Sequence, residues 1–538
     1  SLAQVGERVA RAVAEAEPAA SRGEWAERFA ALIGERRFLP SVTTLANAGR
    51  GGQLAACFAL EVEDSLDSIY GTLQRAARIQ QGSGGIGIEF SALRARGTKI
   101  ARSGGRTPGP VAFAELFARS AHVMALAGRR AGAHLAILRD DHPDIVEFVR
   151  AKRAAPERFP QLGFAVAISD ALLRAARDGA MWPLQHAGRR VNQVAAGELL
   201  RELARSILAT GNPTLLFADR IEADNPTPAL GRLRATNPCG EQPLLSGESC
   251  VLGSLPLPAF TSREGTLDEA SLREAVRAAV RFLDDTLDVN AWPDHEIALA
   301  AQRTRKIGLG VLGLADVLLQ RNLRYDAPEA RAFASSVVAL IAREADAATA
   351  ALGAERGPFP AWESGPARRN ATTRALAPTG TLCLLAGCSP GIEPFLAPRV
   401  ALRTEHGDLE WTDTPLLDWL AQRTADLKAA LDALAAGTPY RALPGLSDGD
   451  RALLRRAVEI APEDQLAMQA ALQRHVDGAV SKTVQLDPAR AAAPDALVGW
   501  IQLARELGCK GAAFYCDTGA SRSAQIDLRA ACAPCWQS

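Results

Sequence analysis

An α/β fold with mainly parallel strands is the class this sequence predicts, on three observations. Short apolar segments (Phe164–Ile168, Leu215–Phe217, Ile307–Leu314, Leu382–Leu385) alternate with longer amphipathic patterns. Buried strands separated by helices are the signature of a parallel sheet covered on both faces. The hydrophobic fraction is 48%, enough for a large core and too high for extended disorder. The length, 538 residues, suits one large domain with appendages or a few ordinary ones.

The elements follow in chain order. Val5, Val9 and Val13 recur every four residues, and a second helical pattern covers Trp25 to Leu32, so residues 1–36 are read as a helical region. Pro40 and the Asn47–Gly52 stretch then open the α/β body, residues 37–517. Leu199, Leu203 and Ile207 share one face of a helix over 195–210, which Gly211-Asn212-Pro213 stops. Thr266 and Glu269 form a capping-box pattern ahead of a helix running to Val289, with Val276, Val280, Leu283 and Leu287 as its apolar stripe. An Ala/Leu-rich helical tract over 415–475 is expected on the outside. Residues 518–538 read as a flexible tail carrying Cys532 and Cys535.

Composition excludes several functions. Lys+Arg and Asp+Glu are both 61, and this balance disfavours bulk binding of nucleic acid. Only six of the basic residues are lysine. No apolar run reaches the ~18 residues of a membrane span, and Ser1-Leu2-Ala3-Gln4 shows no signal-peptide pattern. Nine cysteines, an odd and sparse count, point to reduced thiols and a cytoplasmic protein.

The chemistry concentrates in Asn237-Pro238-Cys239-Gly240-Glu241. Alternate positions place Asn, Cys and Glu on one side of an extended loop, and Pro238 and Gly240 exclude an ordinary central strand. A carboxylate is a poor neighbour for a thiolate nucleophile, because negative charge raises the thiol pKa. It suits a thiol that surrenders a hydrogen atom, a step that creates no anion. On this segment alone, a buried cysteine in a turn is the more economical reading. Cys250 follows eleven residues later and Cys57 lies far upstream; spacing alone cannot bring them together. Pro378-Thr379-Gly380-Thr381 is a polar turn that could open a helix toward a phosphate, or a plain turn. Gly82–Gly87 lacks the lysine and the strand–turn–helix frame of a phosphate loop. Cys532-x-x-Cys535 suits a labile disulfide or half a zinc site. The seven histidines have no metal-ligand spacing, and His142 and His295 are read as structural.

Taken together, these segments resemble the catalytic subunit of a ribonucleotide reductase, of the adenosylcobalamin-dependent (class II) type. The resemblance runs from about Phe38 to Thr518. It rests on Phe38–Pro40 with Thr44–Gly49, Leu54–Phe58, Asn237–Glu241, Cys250–Ser254, Arg305–Ala315, Pro378–Thr381 with Gly391–Pro394, and His475–Thr483, all in the family's order. It implies a ten-stranded α/β barrel of two five-stranded parallel halves, with Asn237–Glu241 as a finger loop through its centre. It implies reduction of ribonucleotides, diphosphates rather than triphosphates, to 2′-deoxyribonucleotides.

By position, Cys239 is similar to the family's thiyl-radical cysteine and Cys57 and Cys250 to its reducing pair. Asn237 and Glu241 match the residues that handle the ribose hydroxyls. Thr44, Ala56, Pro378, Thr379, Gly380 and Thr381 match the substrate site, and Cys532 and Cys535 the tail pair that re-reduces it. Asp64, Ser65, Arg94, Arg129 and Arg130 fall in segments that bind a dNTP or ATP specificity effector. The expected partners are the nucleotide, that effector, thioredoxin or a similar dithiol, and a second copy in a homodimer. No resident protein-bound metal site is expected. Phe514-Tyr515 breaks the tyrosine pair of the iron-dependent type, which favours adenosylcobalamin as cofactor. A family member with an ATP cone would need about a hundred more residues ahead of Ser1, so control of overall activity by ATP/dATP is not expected. Two alternatives stay open: a reductase using a metal-radical partner subunit, and a non-catalytic nucleotide-binding regulator on the same barrel.

Overall fold

The computed structural model describes residues 1–101, 103–127, 132–395, 399–404, 407–412, 414–436, 438–488, 493–516 and 525–527. Arg129, Arg130, Cys532 and Cys535 lie outside them.

The N-terminal region is a helical hairpin. Helix α1 (Leu2–Val13) starts in a capping box between Ser1 and Gln4 and buries Val9 and Val13. Helix α2 (Arg22–Gly34) answers with Phe29, Leu32 and Ile33. Gly6 lets the two approach: a Cβ there would stand 3.1 Å from Ile33.

The body is built on ten strands: β1 (Leu39–Pro40), β2 (Cys57–Glu61), β3 (Gly85–Glu89), β4 (His134–Arg139), β5 (Leu162–Ile168), β6 (Thr214–Phe217), β7 (Ser249–Pro256), β8 (Ile307–Leu312), β9 (Thr483–Leu486) and β10 (Gly511–Cys516). β2 to β6 form a five-stranded parallel run. β7 and β8 are parallel to each other, as are β9 and β10. Where the two sets meet, pairing is antiparallel, β7 against β2 and β10 against β6. Connecting helices cover the outside; long ones are α3 (Leu66–Gln81), α4 (Glu269–Val289) and α5 (Pro328–Arg356). Alternation along the strands then defines two faces. Phe58, Leu60, Ile86, Ile88, Phe164 and Val166 join the large helix-facing core. Cys57, Ala59, Leu135, Ile137, Ala165 and Cys250 join a smaller cluster on the inner face.

The expected closed ten-stranded barrel needs correction. The ladder is open between β8 and β9, and one of the ten strands is the two-residue β1, antiparallel to β7. Residues 372–376 run through the gap with only isolated parallel bridges, Leu309 to Arg374 and Leu376 to Val480. The physical reason is local. The Asp477 carboxylate accepts from the amides of Thr373 and Arg374, at 2.9 and 2.7 Å, replacing ladder bonds with side-chain bonds.

Several elements match the sequence reading, with shifted ends. The helix read over 195–210 is Ala196–Thr210, closed by Gly211 at φ +68. α4 begins at Glu269, and its N-cap is Asp268, whose side chain accepts from the Ser271 amide. Thr266 instead sits in the turn before it, its carbonyl bonded to the Ser262 amide. Leu382–Leu385 is not a strand but part of the short helix α6 (Leu382–Ala386), and Leu314 begins a helix after β8. Among the described residues no helix is long and apolar enough to cross a membrane.

Candidate active site

A hairpin crosses the inner face of the sheet. Ala235–Thr236 pairs antiparallel with Pro243–Leu244, leaving Asn237–Gln242 as its tip. Ala235 and Leu244 pack into the inner apolar cluster. The hairpin is gripped from both sets of strands. On one side Gly87 of β3 admits the Thr236 carbonyl, which a Cβ would meet at 1.7 Å. On the other, the Ala479 amide donates to the Glu241 carbonyl at 2.7 Å. Gly240, at φ +83, takes the left-handed turn that brings Glu241 back toward Asn237.

This placement assembles the five residues singled out from the sequence. Cys57 opens β2 and is the register partner of Cys250 on β7. Directly opposed antiparallel residues have Cα atoms about 4.5–5.5 Å apart, inside the ~4.4–6.8 Å that a disulfide spans. Both are free thiols here. The Asn237 side-chain amide donates to Cys57 Sγ at 3.2 Å, and its oxygen accepts from the Gln242 amide at 3.0 Å, which fixes its orientation. Cys239 is half-buried and Asn237 nearly fully buried; both line the same cavity as Cys57.

Burial sets the electrostatics. Glu241 is wholly buried, and neither carboxylate oxygen has a hydrogen-bond partner. Desolvation raises its pKa from 4.5 to about 7, the nearby Asn237 side chain and its own amide pulling the other way. Burial also pushes both the Cys57 and Cys250 thiols well above the usual range, Glu241 adding to the effect. The reducing pair therefore rests as neutral thiols.

The cavity opens to solvent. Ala56 lines it, as does Thr379; Pro378, Gly380 and Thr381, beside Thr379 in the chain, do not. Thr379 holds a left-handed φ of +51, and its hydroxyl accepts from the Gly391 amide at 2.7 Å, pinning the turn to the Gly391–Pro394 loop. Thr381 is the N-cap residue of α6. Thr44 is fully buried away from the cavity, its hydroxyl donating to the Leu54 carbonyl at 3.0 Å. Ser41 and Thr43, which the sequence reading passed over, line it instead, with Ser83, Ala133 and Ser254. The helical turn after Pro40 directs Thr44 inward, and spacing alone does not decide which hydroxyl faces the cavity.

Asp64 and Arg94 do not line the cavity; they pair with each other at 2.6 Å. Ser65 caps α3 by accepting from the Ser68 amide. His142 is structural: its Nδ1 accepts from the Asp144 amide and its Nε2 donates to the Leu93 carbonyl. Among the described residues no group of His, Cys, Asp and Glu could hold a metal ion. Phe514 is buried in the core and Tyr515 is exposed at the end of β10.

Comparison with known proteins gives the family of the chain. The family described as "Ribonucleotide reductase, barrel domain" matches residues 55–369 and 367–515, and "Ribonucleotide reductase, all-alpha domain" matches 1–53. The chain is 43% identical over 509 residues to the vitamin B12-dependent ribonucleoside-diphosphate reductase of Mycobacterium tuberculosis (strain CDC 1551 / Oshkosh), covering 92% of this chain and 73% of that one. It is 34% identical over 517 residues to the enzyme of the same name from Thermoplasma acidophilum, covering 94% and 66%. In fold alone it is similar to the class Id ribonucleotide reductase alpha subunit of Actinobacillus ureae, with a TM-score of 0.78 at 22% identity over 97% of this chain and 94% of that one. The chain belongs to the ribonucleotide reductase family, an N-terminal all-alpha domain preceding the reductase barrel domain.

Proposed function

We propose that this chain is a vitamin B12-dependent ribonucleoside-diphosphate reductase, which removes the ribose 2′-hydroxyl to yield the 2′-deoxyribonucleotide. The observation that carries the reading is the placement of Cys57, Cys250, Asn237, Cys239 and Glu241 around one inner-face site. The reaction is a two-electron reduction: one dithiol becomes a disulfide, the 2′-oxygen leaves as water, and hydrogen takes its place on carbon.

Adenosylcobalamin fits the surroundings of Cys239. Gly85, Gly132 and Ala133 line the cavity beside Pro238 and Cys239, and a Cβ on Gly85 would crowd Pro238 at 3.1 Å. These small residues let Pro238 and the neighbouring backbone pack against the cavity wall, and they are the residues that would border the group beside the sulfur. When bound, adenosylcobalamin supplies the one-electron oxidation that makes Cys239 a thiyl radical.

The chain's own residues account for the rest. Cys239 removes the 3′-hydrogen atom: the C–H bond breaks and the S–H bond forms. Glu241, with both oxygens unpartnered and a pKa near 7, accepts the 3′-OH proton as general base. The Cys57 thiol, neutral through burial, protonates the departing 2′-hydroxyl. Asn237 already holds the Cys57 sulfur and positions it. The second hydrogen of the dithiol, from Cys250, goes to C2′, so Cys57 and Cys250 end as the disulfide their register allows; Glu241 gives the proton back to the 3′-oxygen, and Cys239 returns its hydrogen atom to C3′. The buried setting keeps water away from the radical. The turn at Thr379–Thr381 is assigned to the substrate phosphates, and the Asp64–Ser65 and Arg94 region to a specificity effector. A dithiol protein is the reductant, acting through Cys532 and Cys535, and the working form is a homodimer.

Incubation with adenosylcobalamin, a dithiol and a nucleoside diphosphate is expected to give deoxynucleotide, and Cys239→Ala to abolish it. Turnover surviving Cys239→Ala would overturn the assignment, and turnover needing a second protein but no cobalamin would replace it with the partner-dependent type.

A further inference from the structure

Cys57, Cys250 and a lysine form a lateral row on the inner face. Cys57 and Cys250 are register partners. Val251 and Ile307 are register partners on the parallel strands β7 and β8, so one residue earlier Cys250 and Lys306 stand side by side. Val251 and Ile307 pack in the helix-facing core and Cys250 in the inner cluster; alternation puts Lys306 on the face of Cys250, one strand spacing (about 4.8 Å) away.

Lys306 is completely buried, and its ammonium donates to Glu248 Oε2 at 2.6 Å. Glu248 is itself 2% exposed and accepts from the Thr304 hydroxyl and the Leu245 amide, each at 2.7 Å. A buried ion pair of this kind adds little net stability, because desolvation offsets most of the attraction. Its place beside the redox pair is the informative feature.

We propose that Lys306, held by Glu248, is the positioning residue for re-reduction of the Cys57–Cys250 disulfide, supplying the positive charge that receives the Cys250 thiolate. The proposal rests on the redox role assigned above to the two cysteines. The pair is asymmetric: Cys57 lines the cavity, whereas Cys250 is wholly buried behind it. An external dithiol therefore attacks Cys57 Sγ. The Cys57–Cys250 bond breaks, and its electron pair goes to Cys250 Sγ, which later takes a proton. The second thiol of the reductant then attacks the mixed disulfide on Cys57, releasing that thiol and leaving the reductant oxidised. Two electrons have passed to the pair. The groups facing Cys250 are Cys57 from β2, Glu241 from the hairpin, Asp477 from the segment before β9 and Lys306; the first three disfavour its thiolate and Lys306 favours it.

The test uses the full chain with the pair oxidised by diamide and mapped by peptide mass spectrometry. The readout is the rate of its reduction by dithiothreitol as a function of pH, independent of nucleotide turnover. Lys306→Met is expected to slow reduction about tenfold at every pH, since a leaving thiol of higher pKa leaves more slowly. Lys306→Arg keeps the charge and is expected to retain most of the rate. Glu248→Gln leaves the buried ammonium without its counter-ion, which favours its neutral form, and is expected to slow reduction as Lys306→Met does. Unchanged or faster reduction in Lys306→Met or in Glu248→Gln overturns the proposal, as does a Lys306→Arg rate as low as that of Lys306→Met; the Glu248→Gln arm decides alone where Lys306→Met does not fold. Absence of a Cys57–Cys250 disulfide after turnover of the unmodified protein is a distinct result: it overturns the redox assignment and this proposal with it.

Discussion

The carbonyl oxygen of Thr236 lies where a side chain on Gly87 would be: a Cβ built there falls 1.7 Å from it. The glycine is needed for space, not for an unusual backbone, because it sits within strand β3. Thr236 immediately precedes Asn237, so the contact sets the depth of the hairpin that carries Asn237, Cys239 and Glu241.

Gly87→Ala should therefore disable the site without touching a reacting group. The atom it meets is backbone and can yield only by shifting the hairpin, an overpacking cost of about 3 kcal/mol. Activity should fall by about a hundredfold, because small misplacements of reacting groups are that costly. Gly71→Ala on α3, where a Cβ meets nothing within 4 Å, should instead stabilise by about 0.5–1 kcal/mol. Thermal unfolding and deoxynucleotide formation, measured on both variants, separate the two outcomes.

These contacts mark where the sequence stops being informative. Asn237, Cys239 and Glu241 stand out by their alternation around Pro238 and Gly240, but that segment alone reads more economically as a buried cysteine in a turn, and their chemistry comes from the ordered family resemblance. Their meeting with Cys57 and Cys250 was legible only through the ordered family resemblance, since the antiparallel join of β2 and β7 is a tertiary event. Lys306 gave no local signal: a lone lysine before an apolar strand reads as a solvated strand end, and only the strand register reveals it beside Cys250. Segment 372–376 is a related case: the Asp477 carboxylate takes the amides of Thr373 and Arg374, and only isolated bridges form to either side.

Asn237 bridges the hairpin and the redox pair, so its removal should act on the position of Cys57. Asn237→Ala loses the 3.2 Å bond to the sulfur and leaves the Gln242 amide without its acceptor. The expected result is a drop in kcat of about a hundredfold with the substrate KM little changed. A comparable rise in KM would place Asn237 in ground-state binding instead.

Glu241 couples activity and stability to pH in opposite senses. Its folded pKa, about 7, is raised above the ordinary 4.5 by burial. The neutral form is thus favoured in the fold, and the contribution is intact below pH 4.5 and lost as pH rises through 7. As the proposed base it must be ionised, so activity should rise over the same window. Glu241→Gln should abolish turnover yet be more stable than the parent at pH 9, by about 3 kcal/mol for a shift of this size. Denaturant unfolding at pH 4 and pH 9 checks the sign: the difference between the two proteins should be nearly absent at pH 4 and fully developed at pH 9.

The junction of the N-terminal helices with the body is governed by a second buried carboxyl pair. Glu17, between α1 and α2, accepts from Arg281 at 2.5 Å and from Arg356 at 2.6 Å, and Arg356 also donates to Asp285 at 2.5 Å. Burial and then the neighbouring Glu17 charge raise Asp285 to about 8 against the pull of Arg356, while the two arginines and Asp285 hold Glu17 at about 2 despite its burial. One proton is thus shared out to Asp285. The sign differs for the two partners. Glu17 stabilises above its ordinary 4.5 and loses that contribution as pH falls toward 2. Asp285 contributes fully below its ordinary 3.8 and loses that contribution as pH rises through 8. The docking of the helical hairpin should therefore weaken in mild alkali. Asp285→Asn, which keeps the neutral form at all pH values, should remove that limb: the parent should lose about one degree of thermal stability between pH 7 and pH 9, and the variant should not. Arg356→Met, which leaves both carboxyls without their common partner, should cost about 3–5 kcal/mol at neutral pH. A parent protein with a flat melting temperature from pH 7 to pH 9 would show that Asp285 is already ionised at neutrality.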